Sequence, residues 1–288
     1  MSAAPATGRR SPGRPLASPH RHVRTAELMG TVASAHVLTV DSPADGAVER
    51  ISAAQDAALD ELHRLDALFS PFRSGSEISQ LRDGGLRLEE ADPLVREVFD
   101  ACTLLAAASG GRFDAARQGW FDPTGYVKGW AVERAAAHLT PLLAEEGIVA
   151  AGLSAGGDMQ LHTAPGADWT WNVGIVDARR LGALRARLPL RDGAVATSGP
   201  GERGAHIVDP RSGAPVADAA TATVLAERLS DADAWATIAV VAGFDDLSWL
   251  RRAPDTSGML QTPDGRIRRW THGVEVGPSA DALLTVGG

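Results

Sequence analysis

The chain has 288 residues and a formal net charge of −8, from 28 basic and 36 acidic side chains. Lys128 is the only lysine, so nearly all basic residues are arginines, a bias typical of a GC-rich genome. The acidic balance argues against a protein that coats nucleic acid, and the single cysteine, Cys102, excludes an intramolecular disulfide and a cysteine-based metal cluster.

The two ends of the chain differ from its body. Residues 1–24 are rich in Pro, Arg, Ser and His without a hydrophobic period, which predicts a disordered arm. Arg9 and Arg10 resemble the start of a twin-arginine export signal, but no apolar stretch follows them, so we expect cytoplasmic residence. No apolar run approaches the roughly 18 residues of a membrane span. A domain over residues 25–275 is predicted, with a fraying tail at 276–288.

The first half of the body is predicted to be mainly helical. Apolar residues recur at helical spacing, and Asp92-Pro93 and Gly110-Gly111 are typical of a helix start and a helix stop. The predicted elements are a strand over Glu27–Val40 and helices over Ala47–Phe69, Pro93–Ser109 and Lys128–Glu146.

The second half is predicted to be mainly β. Its elements are strands over Ile148–Leu153, Met159–His162, Trp169–Val176 and Thr221–Ala226, a helix over Ser230–Val241, and a hairpin over Met259–Trp270. Strands and helices mix without regular βα alternation, which favours an α+β fold over a doubly wound sheet.

A glycine-containing loop enters the helix predicted to begin near Lys128. Within Asp122-Pro-Thr-Gly125-Tyr-Val-Lys128, Gly125 would let a ligand approach the backbone, and unpaired N–H groups at the helix start suit a phosphate. Taken alone, the motif is more typical of an ordinary loop.

A carboxylate and a hydroxyl share one face of the helix over Ser230–Val241. Asp233 and Thr237 are four residues apart, about one turn, and could hold a hard cation such as Mg²⁺. Alone, the pair is better explained by an acidic residue near the helix start and a threonine bonded back to its helix.

Two further motifs suggest nucleophilic or acid–base chemistry. His206, before the turn Asp209-Pro-x-x-Gly213, suits a general base or an ordinary surface histidine equally well. Gly152-Leu-Ser154-Ala-Gly156 matches the nucleophile elbow of serine hydrolases, which lies between a strand and a helix. The residues after Ser154 are predicted to form a strand, so we expect no nucleophile there.

Taken together and in chain order, the motifs resemble the ApbE-type FAD:protein FMN transferase (flavin transferase) family. The resemblance covers about residues 26–245. It rests on eight segments: Met29 to Thr31, Phe69 to Ser79, Gly110 to Asp114, Asp122 to Gly129, Ala155 to Asp158, Thr197 to Gly199, His206 to Gly213, and Asp233 to Thr237. It implies an ApbE-like, T-fold-like architecture of largely antiparallel sheets layered with helices.

The resemblance also implies an activity and a site. Family members use Mg²⁺ and FAD, transfer FMN through its phosphate to a Ser or Thr of a flavoprotein, and release AMP. By motif position, His206 and Asp233 would be catalytic, and the Mg²⁺ ligands would be Gly125 (through its carbonyl), Asp233 and Thr237. The residues contacting FAD would be Met29, Phe72, Arg112, Phe113, Asp114, Asp122, Lys128 and Ile207.

The sequence departs from the family pattern at several positions, including the Pro-Thr that follows Asp122, and Arg82, which occupies the place of a frequent asparagine. Phe72 stands where a tyrosine is common, and Arg112 stands where a small residue is typical. An FAD pyrophosphatase and a non-catalytic flavin-binding protein are the alternative functions. The expected partners are FAD and an acceptor flavoprotein, with no nucleic acid.

Overall fold

The structure, a computed structural model, describes residues 19–40, 45–180, 182–200, 207–216 and 220–277. The strands are β1 (His20–Leu28), β2 (Thr31–Thr39), β3 (Ile148–Ala155), β4 (Asp158–Thr163), β5 (Trp171–Val176), β6 (Leu184–Leu190), β7 (Gly193–Ser198), β8 (Thr221–Ala226), β9 (Ser257–Gln261), β10 (Ile267–Thr271) and β11 (Val274–Val276). The α-helices are α1 (Ala47–Phe69), α2 (Glu77–Arg82), α3 (Pro93–Ser109), α4 (Thr124–Ala136) and α5 (Leu229–Ala242).

Nine of these strands form one antiparallel sheet. Their order is β1-β2-β3-β4-β7-β8-β9-β10-β11, and β5 pairs with β6 in a separate hairpin. The mixture of a largely antiparallel sheet with packed helices confirms the predicted α+β class. Among the described residues, no helix is long and apolar enough to cross a bilayer.

The sheet is covered differently on its two faces, as alternation along β8 illustrates. Val224 belongs to the large core with α1, α4 and α5, whereas Leu225 packs in the second core with Trp171 and Leu188 of the β5–β6 hairpin. Successive side chains of a strand point to opposite faces, so a strand buried on both sides reads as a continuous apolar run.

The helix boundaries follow local signals. α1 and α3 match their predicted limits, and Asp92 caps α3 by accepting from the Leu94 N–H at 2.8 Å. Gly110 ends α3 in the left-handed region at φ 64°. α4 differs from the prediction, because it begins at Thr124, four residues earlier, directly after Pro123; the Thr124 N–H donates to Asp122 Oδ1 at 3.1 Å.

The predicted strand over Glu27–Val40 is interrupted, because the chain reverses within it; its last part, Thr31–Thr39, is β2. Met29 and Gly30 take positive φ values of 51° and 71°, and β1 and β2 form a two-residue hairpin. β1 begins at His20, so the last residues of the predicted arm lie in the sheet, and residues 1–18 lie outside the described ones.

Other elements differ from the prediction as well. β6 and β7 were not predicted as strands. The helix predicted to reach Glu146 ends at Ala136, and a short 3-10 helix follows over Thr140–Ala144, where Pro141 cannot continue the α-helical hydrogen bonding. Residue 276, where the tail was predicted to begin, is the last residue of β11, and residues 278–288 lie outside the described part.

An ion pair ties the end of α3 to the segment after α5. The Arg112 guanidinium contacts the Asp246 carboxylate and also donates to the Ser109 carbonyl at 3.0 Å. Hydrogen bonding from the Ser248 hydroxyl, followed by that from Arg112, lowers the pKa of Asp246 to about 2. The pair therefore stabilises the fold while Asp246 is charged.

We expect Gly258→Ala to destabilise the sheet. A Cβ there would lie 2.4 Å from both the Thr223 carbonyl oxygen and Trp270 Cζ2, and Trp270 is fully buried. Overpacking of this kind costs about 1–3 kcal/mol. Urea unfolding measures the loss, with Gly75→Ala as control because nothing lies within 4 Å of its Cβ position. Equal stability of the two variants would contradict the prediction.

We expect Asp246→Asn to remove a pH-dependent contribution to stability. The folded-state pKa of Asp246, about 2, lies below its ordinary value of 3.8, so its contribution is complete above pH 3.8 and disappears as pH falls toward 2. The stability difference between wild type and Asp246→Asn should shrink over that range in denaturant titrations. Asp245→Asn is the control, since Asp245 is 89% exposed. A pH-independent difference would refute this assignment.

Candidate functional site

The predicted site residues line two adjoining clefts that share Thr124 and Lys128. We call the first the aspartate cleft; among its lining residues are Arg112, Phe113, Asp114, Asp122, Gly125, Lys128, Ile207, Asp233 and Thr237. We call the second the methionine cleft; it includes Met29, Asp66, Phe69, Phe72, Thr124, Val127 and Lys128. The structure therefore brings together every predicted site residue that it describes.

The aspartate cleft depends on a close approach of α4 to α5. A Cβ at Gly129 would lie 2.7 Å from the Leu229 carbonyl oxygen and 2.8 Å from Asp233 Cβ, so only glycine fits. The Gly129 N–H donates to Asp233 Oδ2 at 3.0 Å. This bond fixes the buried Asp233 carboxylate at the wall of the cleft.

Lys128 lies where the two clefts meet. Its ammonium contacts Asp158 Oδ2 and lies 3.7 Å from Asp233 Oδ1, and its side chain is only 18% exposed. Asp158 is 0% exposed, and its other oxygen accepts from the Thr197 N–H at 2.9 Å. Two carboxylates thus hold the only lysine of the chain at the junction.

Oxygen atoms suited to a hard cation border the aspartate cleft. Asp233 and Thr237 lie on one face of α5, and the Thr237 and Ser198 hydroxyls are 3.1 Å apart. Gly125 lies in the first turn of α4, where the Phe113 ring would be 3.2 Å from a Cβ. A carboxylate, a hydroxyl and a backbone carbonyl form an all-oxygen set, which fits Mg²⁺.

The described residues contain no group of three or more His, Cys, Asp or Glu side chains placed to hold a metal. The Mg²⁺ set predicted from the sequence is of another kind, because Asp233 supplies its only carboxylate.

Asp114 and Asp122 shape the loops that border the aspartate cleft. Asp122 Oδ1 accepts from the Thr124 hydroxyl at 2.7 Å, and its Oδ2 accepts from Gln118 at 3.0 Å. Asp114 accepts from the Ala116 N–H at 2.8 Å. Both carboxylates are engaged within their own loops, and both line the cleft.

The methionine cleft carries the apolar residues of the predicted site. Phe72 is 93% exposed, an unusual state for a large aromatic ring. Met29 occupies a left-handed conformation that costs an ordinary L-residue roughly 1–2 kcal/mol. A flexible apolar side chain held at this cost on the wall of a cleft is typical of a functional position.

The structure treats His206, Ile207 and Ser154, three residues singled out in the sequence, differently. His206 lies outside the described residues, whereas Ile207, which follows it, lines the aspartate cleft beside Val208 and Pro210. Ser154 lies in β3, and the turn at Gly156-Gly157 leads directly into β4, which confirms that no nucleophile elbow forms.

Asp158 and Ser198 were not among the site residues predicted from the sequence. Both stand in segments that carried the family resemblance, Ala155 to Asp158 and Thr197 to Gly199. Their positions in those segments were the only available signal, because their partners Lys128 and Thr237 lie 30 or more residues away in the chain.

Comparison with known proteins gives one consistent family. The sequence model described as "ApbE family" matches residues 29–121 and 116–260. The chain is similar to proteins named FAD:protein FMN transferase from Treponema pallidum (37% identity over 109 residues, 34% of this chain and 30% of that protein) and Rhodobacter capsulatus (34% over 163 residues, 50% and 30%). The match to the Escherichia coli K12 protein of that name is 31% over 141 residues (46% and 40%). The matched stretches thus span well under half of these relatives.

Solved structures agree on the fold. The ApbE protein of Thermotoga maritima superposes with a TM-score of 0.72 at 21% identity, covering 87% of this chain and 97% of that one. The flavin transferase ApbE of Vibrio cholerae gives 0.67 at 18% identity, covering 88% and 97%. Because the family model matches most of the chain, the protein belongs to the ApbE family.

Proposed function

We propose that this protein is a Mg²⁺-dependent FAD:protein FMN transferase, which cleaves FAD, attaches FMN through its phosphate to a Ser or Thr of a flavoprotein, and releases AMP. The observation that carries the proposal is the junction at Lys128, where an apolar cleft meets a cleft lined with oxygen donors. A dinucleotide with a flat apolar flavin and an anionic pyrophosphate matches that pairing. The names of the similar proteins support the same activity.

The methionine cleft suits the flavin end of FAD. The open Phe72 ring offers a face for stacking, and the Met29 thioether packs well against aromatic rings. Phe72 carries no hydroxyl, so stacking and apolar burial would provide its contribution to binding.

The aspartate cleft suits the pyrophosphate and Mg²⁺. Asp233 and Thr237 would hold the ion through their side chains and Gly125 through its carbonyl. When bound, Mg²⁺ supplies neutralisation of phosphate charge, which phosphoryl transfer needs more than covalent catalysis. Lys128 presents a compact ammonium to the same region.

The proposed transfer of FMN to the acceptor requires one proton transfer, from the acceptor hydroxyl. The acceptor hydroxyl oxygen bonds to the phosphorus on the FMN side, the bond from that phosphorus to the bridging oxygen breaks, and AMP leaves with the bridging oxygen. His206, outside the described residues, would accept the hydroxyl proton as general base. With water as acceptor, the same steps give FMN and AMP, the pyrophosphatase alternative.

The direct test mixes the full chain with FAD, Mg²⁺ and a candidate flavoprotein and measures covalent flavin by in-gel fluorescence and AMP by chromatography. We expect covalent flavin and AMP in equal amounts. AMP formation at the same rate without an acceptor would instead establish the pyrophosphatase. Tight FAD binding without AMP under any condition would establish a non-catalytic flavin-binding protein.

We expect Asp233→Asn and Thr237→Val each to abolish turnover while sparing the fold. The asparagine can still accept from the Gly129 N–H, so the α4–α5 contact persists while the charge for Mg²⁺ is lost. Turnover and Mg²⁺-dependent thermal shift are the measurements. Asp231→Asn is the control, because Asp231 lies two residues before Asp233 on the same helix and does not line the cleft. Retained turnover in Asp233→Asn would contradict the assignment, and so would a large loss of stability.

We expect Met29→Asn to stabilise the protein while weakening FAD binding. Asparagine tolerates the left-handed conformation, which should add up to about 1 kcal/mol to the free energy of unfolding, but the apolar contact with flavin is lost. His272→Asn is a matched control, because His272 takes φ 47° in another hairpin turn and does not line either cleft. Urea unfolding and FAD titration measure both effects. Unchanged FAD affinity in Met29→Asn would refute its role.

A further inference from the structure

Asp158 is a fully buried carboxylate in contact with Lys128, which lines both clefts. Gly156 and Gly157 both take positive φ values, 61° and 93°, and their tight turn places Asp158 at the first position of β4. Burying a charged carboxylate is costly unless it is paired and hydrogen-bonded. The contacts that compensate for burial of the Asp158 charge therefore indicate the role of this residue.

Each oxygen of Asp158 has a partner from a different element. Oδ1 accepts from the Thr197 N–H of β7 at 2.9 Å, and Oδ2 contacts the Lys128 ammonium of α4. The hydrogen bond to the backbone fixes the carboxylate to the sheet. The carboxylate in turn fixes the end of a long side chain that would otherwise be free to extend into solvent.

Asp233 is the less suitable anchor for Lys128. Its Oδ1 lies 3.7 Å from the ammonium, and its Oδ2 already accepts from the Gly129 N–H. A carboxylate that binds a divalent cation also attracts a lysine ammonium less strongly, because the cation neutralises its charge. Asp158 lines neither cleft and has no such competing role.

We propose that Asp158 is a positioning residue, which holds the Lys128 ammonium at the junction of the two clefts so that it meets the pyrophosphate of FAD. This inference rests on the proposed function, because it names FAD as the ligand. It assigns a role to a residue that does not touch the ligand. Lys128 would bind, and Asp158 would determine where its charge stands.

The test is a double-mutant cycle on the full chain, with FAD affinity measured by flavin fluorescence. Asp158→Asn keeps the size of the side chain and its bond to Thr197 but removes the charge that holds Lys128. We expect FAD binding to weaken by about 10- to 100-fold, the worth of one hydrogen bond to a charged group. In a Lys128→Gln background, Asp158→Asn should cause no further loss. Independent losses that multiply would overturn the inference.

The matched control is Asp192→Asn. Asp192 also accepts from a strand N–H, that of Thr163 at 2.7 Å, and it lines neither cleft. We expect its FAD affinity to equal that of the wild type. An equal loss in both aspartate variants would show that the effect of Asp158 is a general one on the sheet.

Stability provides a second readout that does not depend on binding. Lys128→Gln leaves the Asp158 charge buried without its ammonium, so it should unfold at lower temperature than the double variant Asp158→Asn/Lys128→Gln. If Asp158→Asn does not fold, the double variant and Lys128→Gln still give the comparison, and their FAD affinities should agree. A less stable double variant, or unequal affinities, would overturn the inference.

Failure of the proposed function is distinguishable from failure of this inference. Wild-type protein that neither binds FAD nor releases AMP would refute the proposed function. Wild-type protein that does both, with an Asp158→Asn variant of equal affinity, would refute only the positioning role.

Discussion

The site depends on the contact between Gly129 and Asp233, where α4 and α5 approach more closely than any side chain at position 129 would allow. The hydrogen bond from the Gly129 N–H orients the Asp233 carboxylate, and the neighbouring Lys128 is thereby placed between Asp233 and the sheet. A wider separation of the helices would part the hydroxyl and carboxylate of α5 from the first turn of α4. Both clefts share residues of α4, so this helix connects the two parts of the site.

The sheet supplies the fixed half of the site and the helices supply the other half. β4 contributes Asp158 and the end of β7 contributes Ser198, and both reach across to side chains of helices, Lys128 and Thr237. Because β4 and β7 are neighbours near the middle of the sheet, these partners are held by hydrogen bonds on both sides. Loops form the outer border of the aspartate cleft. There the ion pair between Arg112 and Asp246 holds the chain in place.

Features set by adjacent residues could be predicted from the sequence. Features that depend on contacts between distant residues could not. Asp92-Pro93 and Gly110 determined the limits of α3 because capping and left-handed glycine are properties of adjacent residues. The reversal at Met29 was missed because methionine is not a turn residue, and its conformation is imposed by the hairpin. Motif order placed Asp233, Thr237, Gly125 and Lys128 in one site, but the Lys128–Asp158 contact joins residues far apart in sequence. No local pattern encodes that contact.

Because Lys128 is the only lysine in the chain, chemical modification of lysine can report on the site. Apart from the α-amino group, this chain carries one amine, and that amine lies in an ion pair at the junction of the two clefts. A reagent that acylates amines therefore marks a single side chain, in addition to the α-amino group. The rate of that acylation reports how firmly two carboxylates hold the ammonium and whether a ligand covers it, without any contribution from lysines elsewhere on the surface.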